Sequence, residues 1–281
     1  MAWNVVIAGG GFGGLSAARE LEKVMPKQSA RLTLVNETNF SLYTPFLPEA
    51  AAGTLEPRHV VTPLRDILKR TYLRLGEIVG HDPEAKTVEL AAKGGGNETI
   101  PYDQLLLSLG SVSRVLPIPG LTEHAMGFKG LADAIVLRNR VVENLELANA
   151  TGDRRRREEL LTFVFVGGGY AGLEALAELQ DFAADAMDSY PRARLHGMRW
   201  MLVEAAPRVL PEIDQDLADY ALRELRGRGI DIKLETTLKE VTADSAALYV
   251  TAPESWSWSV TPQSCLAFPP ASLAMTSIIT V

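Results

Sequence analysis

Val5-Val-Ile-Ala-Gly-Gly-Gly-Phe-Gly-Gly-Leu-Ser-Ala-Ala-Arg-Glu-Leu21 decides the fold, because 158 residues later it recurs as Phe163-Val-Phe-Val-Gly-Gly-Gly-Tyr-Ala-Gly-Leu-Glu-Ala-Leu-Ala-Glu-Leu179, with nine of seventeen positions identical. Each copy runs from a short apolar stretch, through glycines, into a segment with helical apolar periodicity. A buried parallel strand, a tight loop and a helix are implied twice. In Gly9-x-Gly11-x-x-Gly14 the first glycine permits the turn, the second lets a pyrophosphate approach the backbone, and the third lets helix and strand pack closely. Gly167, Gly169 and Gly172 take the same places in the second copy, and each following helix points unpaired amides at the phosphates. Phe12 and Gly13 complete the first loop, and Tyr170 matches Phe12.

Around these loops the pattern predicts an α/β chain. After the first loop come a helix to about Glu22, a strand Leu32–Val35, a Pro-punctuated stretch Tyr43–Pro48, a helix near Pro63–Arg70 and a β-rich block to Val88. Gly94-Gly-Gly-Asn97 reads as a hairpin turn, and Leu105–Leu109 as a buried strand ending at Gly110. Leu131–Ala148 is expected as a helix, and Thr151–Glu159, with four consecutive arginines, as a solvated connector. The second unit should hold a helix Tyr170–Met187, a strand Arg199–Val203, a helix Asp214–Arg226, a strand Ile230–Leu234 and a strand pair within Val241–Val250. From Ser255 to Val281 no residue is charged, and Ser, Thr and Pro make up 12 of the 27 positions. That tail is read as foreign to the fold.

Composition excludes several classes. The chain has 281 residues, 28 Lys+Arg against 35 Asp+Glu, and a net charge of -7, which gives no broad attraction to nucleic acid. Cys265 is the single cysteine, so neither a disulfide within the chain nor a thiolate metal cluster can form. His81, His124 and His196 lack metal-ligand spacing, and no metal is expected. Arg58 and His59 follow Pro57 at an expected helix entry, where a surface or capping role outweighs catalysis. No window offers the apolar length of a membrane span, and the start Trp3–Ala8 runs into glycines with no basic flank, unlike a signal peptide.

A dinucleotide site also needs an acceptor for the adenosine ribose at the end of the second strand. Glu204 supplies it in the second unit, and its charge would repel a 2′-phosphate, favouring NADH over NADPH. Arg208, four residues on, could soften that preference. In the first unit the position is Asn36, with Glu37 next. Glu174, whose partner in the first copy is Ser16, is placed on the first turn of its helix, where the dipole favours a carboxylate. Glu178, one turn on, reads as a helix-face residue.

The two loops, Leu32–Leu47, Tyr102–Gly110 and Gly167–Leu179 together resemble the type II NADH:quinone oxidoreductases, which are two-dinucleotide-binding flavoproteins; the resemblance spans residues 1 to about 250. It implies two Rossmann-like domains, the NAD unit inserted in the FAD unit: residues 1–115 as the first part of an FAD-binding domain, 116–160 as a helical connector, 161–252 as an NADH-binding domain and 253–281 as the atypical tail. It further implies that Thr44 and Pro45 lie beside the isoalloxazine, the alternative being a plain turn. Ile78 would offer backbone to the adenine, and Ser108 to Gly110 would cross the FAD pyrophosphate. Tyr170 either stacks near the nicotinamide or covers its loop, and Glu174 faces nicotinamide and flavin. The implied reaction passes a hydride from NADH to FAD and two electrons to a quinone, at the cytoplasmic face of a membrane, with self-association open. Disulfide and sulfide:quinone reductases, which need cysteines beside the flavin, are excluded because residues 1–254 contain none. A C-terminal Gly-Asp motif, an Ala-Gln-rich quinone segment and amphipathic membrane helices are expected of the family and not found. The alternative is therefore a non-catalytic nucleotide-binding fragment of such an enzyme.

Overall fold

The computed structural model describes residues 2–111, 117–242, 245–250 and 277–280. In chain order the elements are β1 (Trp3–Ala8), α1 (Phe12–Val24), β2 (Ala30–Asn36), β3 (Phe40–Leu42), α2 (Leu47–Ala52), β4 (Val61–Pro63), α3 (Leu64–Ile67), β5 (Tyr72–Asp82), β6 (Thr87–Ala92), β7 (Asn97–Pro101) and β8 (Gln104–Leu107). They continue with α4 (Leu121–His124), β9 (Met126–Gly127), α5 (Leu131–Ala150), α6 (Arg154–Leu160), β10 (Thr162–Val166), α7 (Tyr170–Ala186), α8 (Pro191–His196), β11 (Arg199–Val203), α9 (Gln215–Gly227), β12 (Asp231–Lys233), β13 (Thr236–Val241), β14 (Ala246–Val250) and β15 (Ser277–Thr280). The chain divides into two compact units, Met1–Tyr43 with Arg58–Val112, and Thr44–Pro57 with Ser113–Val281. The 14 residues carrying α2 thus pack with the second unit, although they lie within the first stretch of sequence.

The first unit is built on a six-stranded sheet ordered β7-β6-β5-β2-β1-β8. β5, β2, β1 and β8 run parallel, and β6 and β7 fold back as antiparallel hairpins. Alternation along β1 sorts its side chains to two faces. Ile7 joins Ala18, Leu34, Leu64 and Leu68 under the helices, whereas Val6 joins Val35, Val88 and Leu90 under the hairpin. Gly95 and Gly96 turn between β6 and β7 at φ +94° and +79°, as the glycine run predicts. β8 departs from expectation: Leu106 is 39% exposed and Leu107 59%, because β8 is the sheet's edge strand.

The second unit has a five-stranded sheet ordered β12-β11-β10-β15-β9. β12, β11 and β10 are parallel; β15 is antiparallel to both neighbours. One face packs Val164, Val166, Met201 and Val203 with the β13–β14 hairpin residues Leu238, Val241 and Leu248. On β10 and β11 Phe163 stacks on Trp200 at 4.8 Å. Ser277–Thr280 therefore pair with the sheet rather than standing outside it, a correction to the reading of the tail as wholly foreign. Residues 251–276, the rest of that tail, lie outside the described residues.

The arginine-rich connector forms a helix whose arginines stay mostly exposed. Asp153 accepts hydrogen bonds from the amides of Arg155 and Arg156, and Arg154–Glu158 and Arg155–Glu159 pair at i,i+4 along α6. Four like charges are tolerated because each second-turn glutamate faces them. Ahead of it, α5 buries Ala134, Leu137, Val141, Leu145 and Ala148, a helical stripe, and Asn144 Nδ2 donates to Leu160 O.

Candidate functional site

The two glycine loops are the same construction in separate units. Gly9 N donates to Val35 O at 2.8 Å, and Gly167 N to Val203 O at 2.9 Å. Gly9 and Gly167 stand at φ +100° and +102°, a left-handed region that favours glycine. Leu15 N donates to Gly11 O and Leu173 N to Gly169 O, opening α1 and α7. Neither helix has a side-chain cap or an acidic residue in its first turn, so its leading amides await an acceptor.

Steric room separates the roles within the first loop. A Cβ on Gly14 would lie 1.8 Å from Gly9 O, and one on Gly9 2.1 Å from Ser108 O. Those two glycines serve close packing of backbone on backbone. A Cβ on Gly11 would meet nothing within 4 Å. The loop is open there, as a pyrophosphate approaching the amides requires. Ser108, reached through its amide's bond to Ala8 O, also sets its Oγ 2.7 Å from where a Gly13 Cβ would stand. Gly110 follows at φ +74° with open space around it.

The strand-end acceptors do more than the sequence predicts. Gly10 N donates to Asn36 Oδ1 at 2.8 Å, and Gly168 N donates to Glu204 Oε2. Asn36 Nδ2 donates onward to Thr38, and Glu204 Oε1 accepts from Ala206 N at 2.6 Å. Both side chains thus tie the loop's middle glycine to the second strand. Glu37 is exposed beside Asn36. Arg208 forms no ion pair with Glu204 among the described residues, and its guanidinium donates to Leu210 O and Ile213 O.

Other candidates fall in several places. Phe12 is exposed and meets Tyr43 edge-on at 5.5 Å, and Tyr170 is similarly exposed on its own loop. Ile78 lies beside a bulge in the β5–β6 pairing and packs against the Val6–Val35–Val88–Leu90 cluster. Thr44 and Pro45 form an exposed 3-10 turn before α2. Arg58 and His59 occupy another such turn, after Pro57. His81 Nε2 and Tyr102 Oη are 2.8 Å apart, and His196 Nε2 sits 3.5 Å from Glu158. Among the described residues no cluster of three or more His, Cys, Asp or Glu could hold a metal ion.

Glu174 is the fifth residue of α7, past its first turn, so the helix dipole does not explain it. Loss of hydration, then the charges of Glu49 and Glu178, push its carboxyl above the usual carboxylate range. Glu49 comes from α2, and its Oε2 is buried with no hydrogen bond. Glu178 accepts from Thr54 Oγ1 at 3.2 Å. Sequence reading missed Glu49 and took Glu178 for a plain helix-face residue, because only the packing of α2 on α7 brings the three acids together. The Leu47-Pro-Glu-Ala-Ala-Ala52 run, a charge in an otherwise apolar helix, was the available signal.

Among the described residues no helix is long and apolar enough to cross a membrane. Among curated proteins, the chain is 31% identical over 261 residues to an external alternative NAD(P)H-ubiquinone oxidoreductase of Arabidopsis thaliana, covering 87% of this chain and 44% of that one. It is 29% identical to the type II NADH:quinone oxidoreductase of Staphylococcus aureus, covering 84% and 57%. The chain spans about half the length of the curated relatives it matches. Its fold is that of NDH2 from Plasmodium falciparum, solved in complex with NADH, with a TM-score of 0.82 at 20% identity, covering 89% of this chain and 51% of that one. Residues 3–256 match the family described as pyridine nucleotide-disulphide oxidoreductase, and with two glycine loops of one design the chain belongs to that family.

Proposed function

We propose that this chain carries the two nucleotide sites of a flavin-dependent NADH:quinone oxidoreductase, residues 1–115 for FAD and 161–252 for NADH. The observation that carries the reading is the duplicated loop, in which the same glycines make the same hydrogen bonds in both units. Bound FAD would supply a hydride acceptor and NADH the hydride. The first-turn amides of α1 and α7 would hold the pyrophosphates, with Gly9, Gly11, Gly13 and Gly14 shaping one loop and Gly167, Gly169 and Gly172 the other. Gly11's open side fits that group, since a Cβ there would occupy the approach.

Asn36 and Glu37 in the first unit, and Glu204 in the second, would receive ribose hydroxyls on lone pairs their loop bonds leave over. The carboxylic acid side chain of Glu204, with no ion pair to Arg208 among the described residues, supports NADH over NADPH. Thr44 and Pro45 would face the flavin ring, Ile78 the adenine, and Ser108 and Gly110 the flavin's pyrophosphate. Phe12 and Tyr170 would cover their loops. Glu174, whose carboxyl lost hydration and the charges of Glu49 and Glu178 raise above the usual range, would position the nicotinamide. The relatives' names support a quinone acceptor, and the family resemblance a peripheral place at the cytoplasmic face of a membrane.

A second reading, a nucleotide-binding piece without turnover, draws on the chain's spanning about half of its relatives. One experiment separates them: the visible spectrum of the purified protein supplied with FAD, before and after anaerobic NADH. Flavin bands that bleach support the oxidoreductase. Flavin bands that persist unbleached support the second reading, and a colourless protein refutes the flavin site in this chain.

A further inference from the structure

The first unit has a second concave site at the opposite end of its sheet from the glycine loop. Trp3 pairs with Ala30 and Thr33 with Tyr72, so the starts of β1, β2 and β5 lie together. They are about 20 Å, the length of β1, from Gly9 and Asn36. A cavity of about 650 Å³ opens there, and Lys27, Arg31, Lys69 and Arg70 all line it. No carboxylate does. In a chain of net charge -7, four cations converge on one cavity without a counter-charge in its wall.

Two of the four are held in place. Arg70 donates to the carbonyls of Glu22, Met25 and Pro26 at the end of α1, and its own and its neighbours' amides donate to the Glu22 carboxylate. Glu22 is thereby held on backbone amides and does not line the cavity. Arg31 lies over the Tyr72 ring, 4.9 Å from its centre. Lys27 and Lys69 are exposed and form no ion pair among the described residues, while the nearby Lys23 is taken by Glu20.

We propose that this cavity binds a phosphate group, either free in solution or as the headgroup of an anionic lipid. Arg31 supplies a planar donor group on a fixed stem, Arg70 a fixed positive charge, and the two lysines mobile charge, the combination that suits a tetrahedral dianion or a phosphodiester. The site is separate from both glycine loops, so it does not depend on the nucleotide reading above.

The test uses the full chain and a Lys27→Gln/Lys69→Gln double variant, whose exchanged side chains make no hydrogen bond among the described residues. Inorganic phosphate is titrated calorimetrically, and sedimentation is measured with vesicles of phosphatidylcholine alone or mixed equally with phosphatidylglycerol. Vesicle binding that needs phosphatidylglycerol and falls about thirtyfold in the variant assigns the site to lipid headgroups. Phosphate binding that weakens in the variant without vesicle binding assigns it to free phosphate. Equal affinities in parent and variant, or no binding of either probe, overturn the proposal. A melting temperature unchanged in the variant separates lost binding from lost folding.

Discussion

Gly11→Val should cost ligand and not fold. Gly11 has φ -75° and ψ -162°, an extended conformation open to any residue, and its added Cβ would meet no atom within 4 Å. Folding then loses only the preference for glycine over a branched side chain at a helix N-cap, about 1 kcal/mol. In a protein of this size that is roughly 2–4 °C of melting temperature. The ligand meets the isopropyl group where its pyrophosphate would reach the α1 amides. Two lost bonds to a charged group, at about 1.5–3 kcal/mol each, weaken flavin binding roughly 10²- to 10⁴-fold. Gly14→Ala is the contrasting case, since its methyl would stand 1.8 Å from Gly9 O, backbone against backbone. It should cost about 3 kcal/mol or more, because neither partner can move aside. The assay pairs flavin absorbance after gel filtration with thermal melts recorded without flavin. If Gly11→Val keeps flavin at the parent's affinity, or melts as low as Gly14→Ala, the assignment of open and packed glycines is wrong.

Glu204→Gln should raise the use of NADPH relative to NADH by about tenfold, because it removes the charge that opposes a 2′-phosphate while keeping one acceptor oxygen for the loop; steady-state kinetics with the two nucleotides measure this. Glu174's carboxyl is raised in the folded protein, so its contribution to stability is fully present below the usual 4.5 and is lost as pH rises through the folded value. Glu174→Gln, which cannot ionise, should therefore match the parent's melting temperature near about pH 4 and exceed it increasingly toward about pH 7. Glu22 is the opposite case: desolvation raises its carboxyl, but the amides of Arg70, Lys69 and Thr71 and the Thr71 hydroxyl outweigh that and hold it below the usual range. Its stabilisation is present above 4.5 and lost as pH falls through the folded value, so Glu22→Gln should cost about 2–3 kcal/mol at neutral pH by urea titration, and less in acid.

Much of this was legible because the deciding signal is local. A strand, a glycine turn and a helix are specified within seventeen residues, and the repeat supplies an internal control on the reading. What stayed hidden depended on neighbours distant in sequence. Leu106 and Leu107 look like a core strand by composition, yet β8 has a partner on one side only. The arginines of α6 read as a solvated run and are one, but the cap at Asp153 and the pairing with glutamates one turn on are seen only in the structure. The acids around Glu174 meet only because residues 44–57 pack with the second unit. The place of Glu204 at a strand's end was legible, but its bond to Gly168 was not, since spacing along the chain says nothing about which amide lies there.

That bond bears on how one backbone design would serve two ligands. Gly10 and Gly168 each need an acceptor from the second strand, and either an amide or a carboxylate oxygen satisfies the geometry. The loop's shape therefore leaves charge at that position free to vary, and it does vary: neutral Asn36 in the first copy, ionisable Glu204 in the second. Glu174 against Ser16 is another such divergence, again on a helix whose start is otherwise held by the same bonds. Glycine stands at the Gly9 and Gly14 positions of both copies, while the charge beside the loop differs between them. Shared backbone with unshared charge is the pattern expected when two sites bind dinucleotides of common phosphate geometry and different chemistry at the far ends.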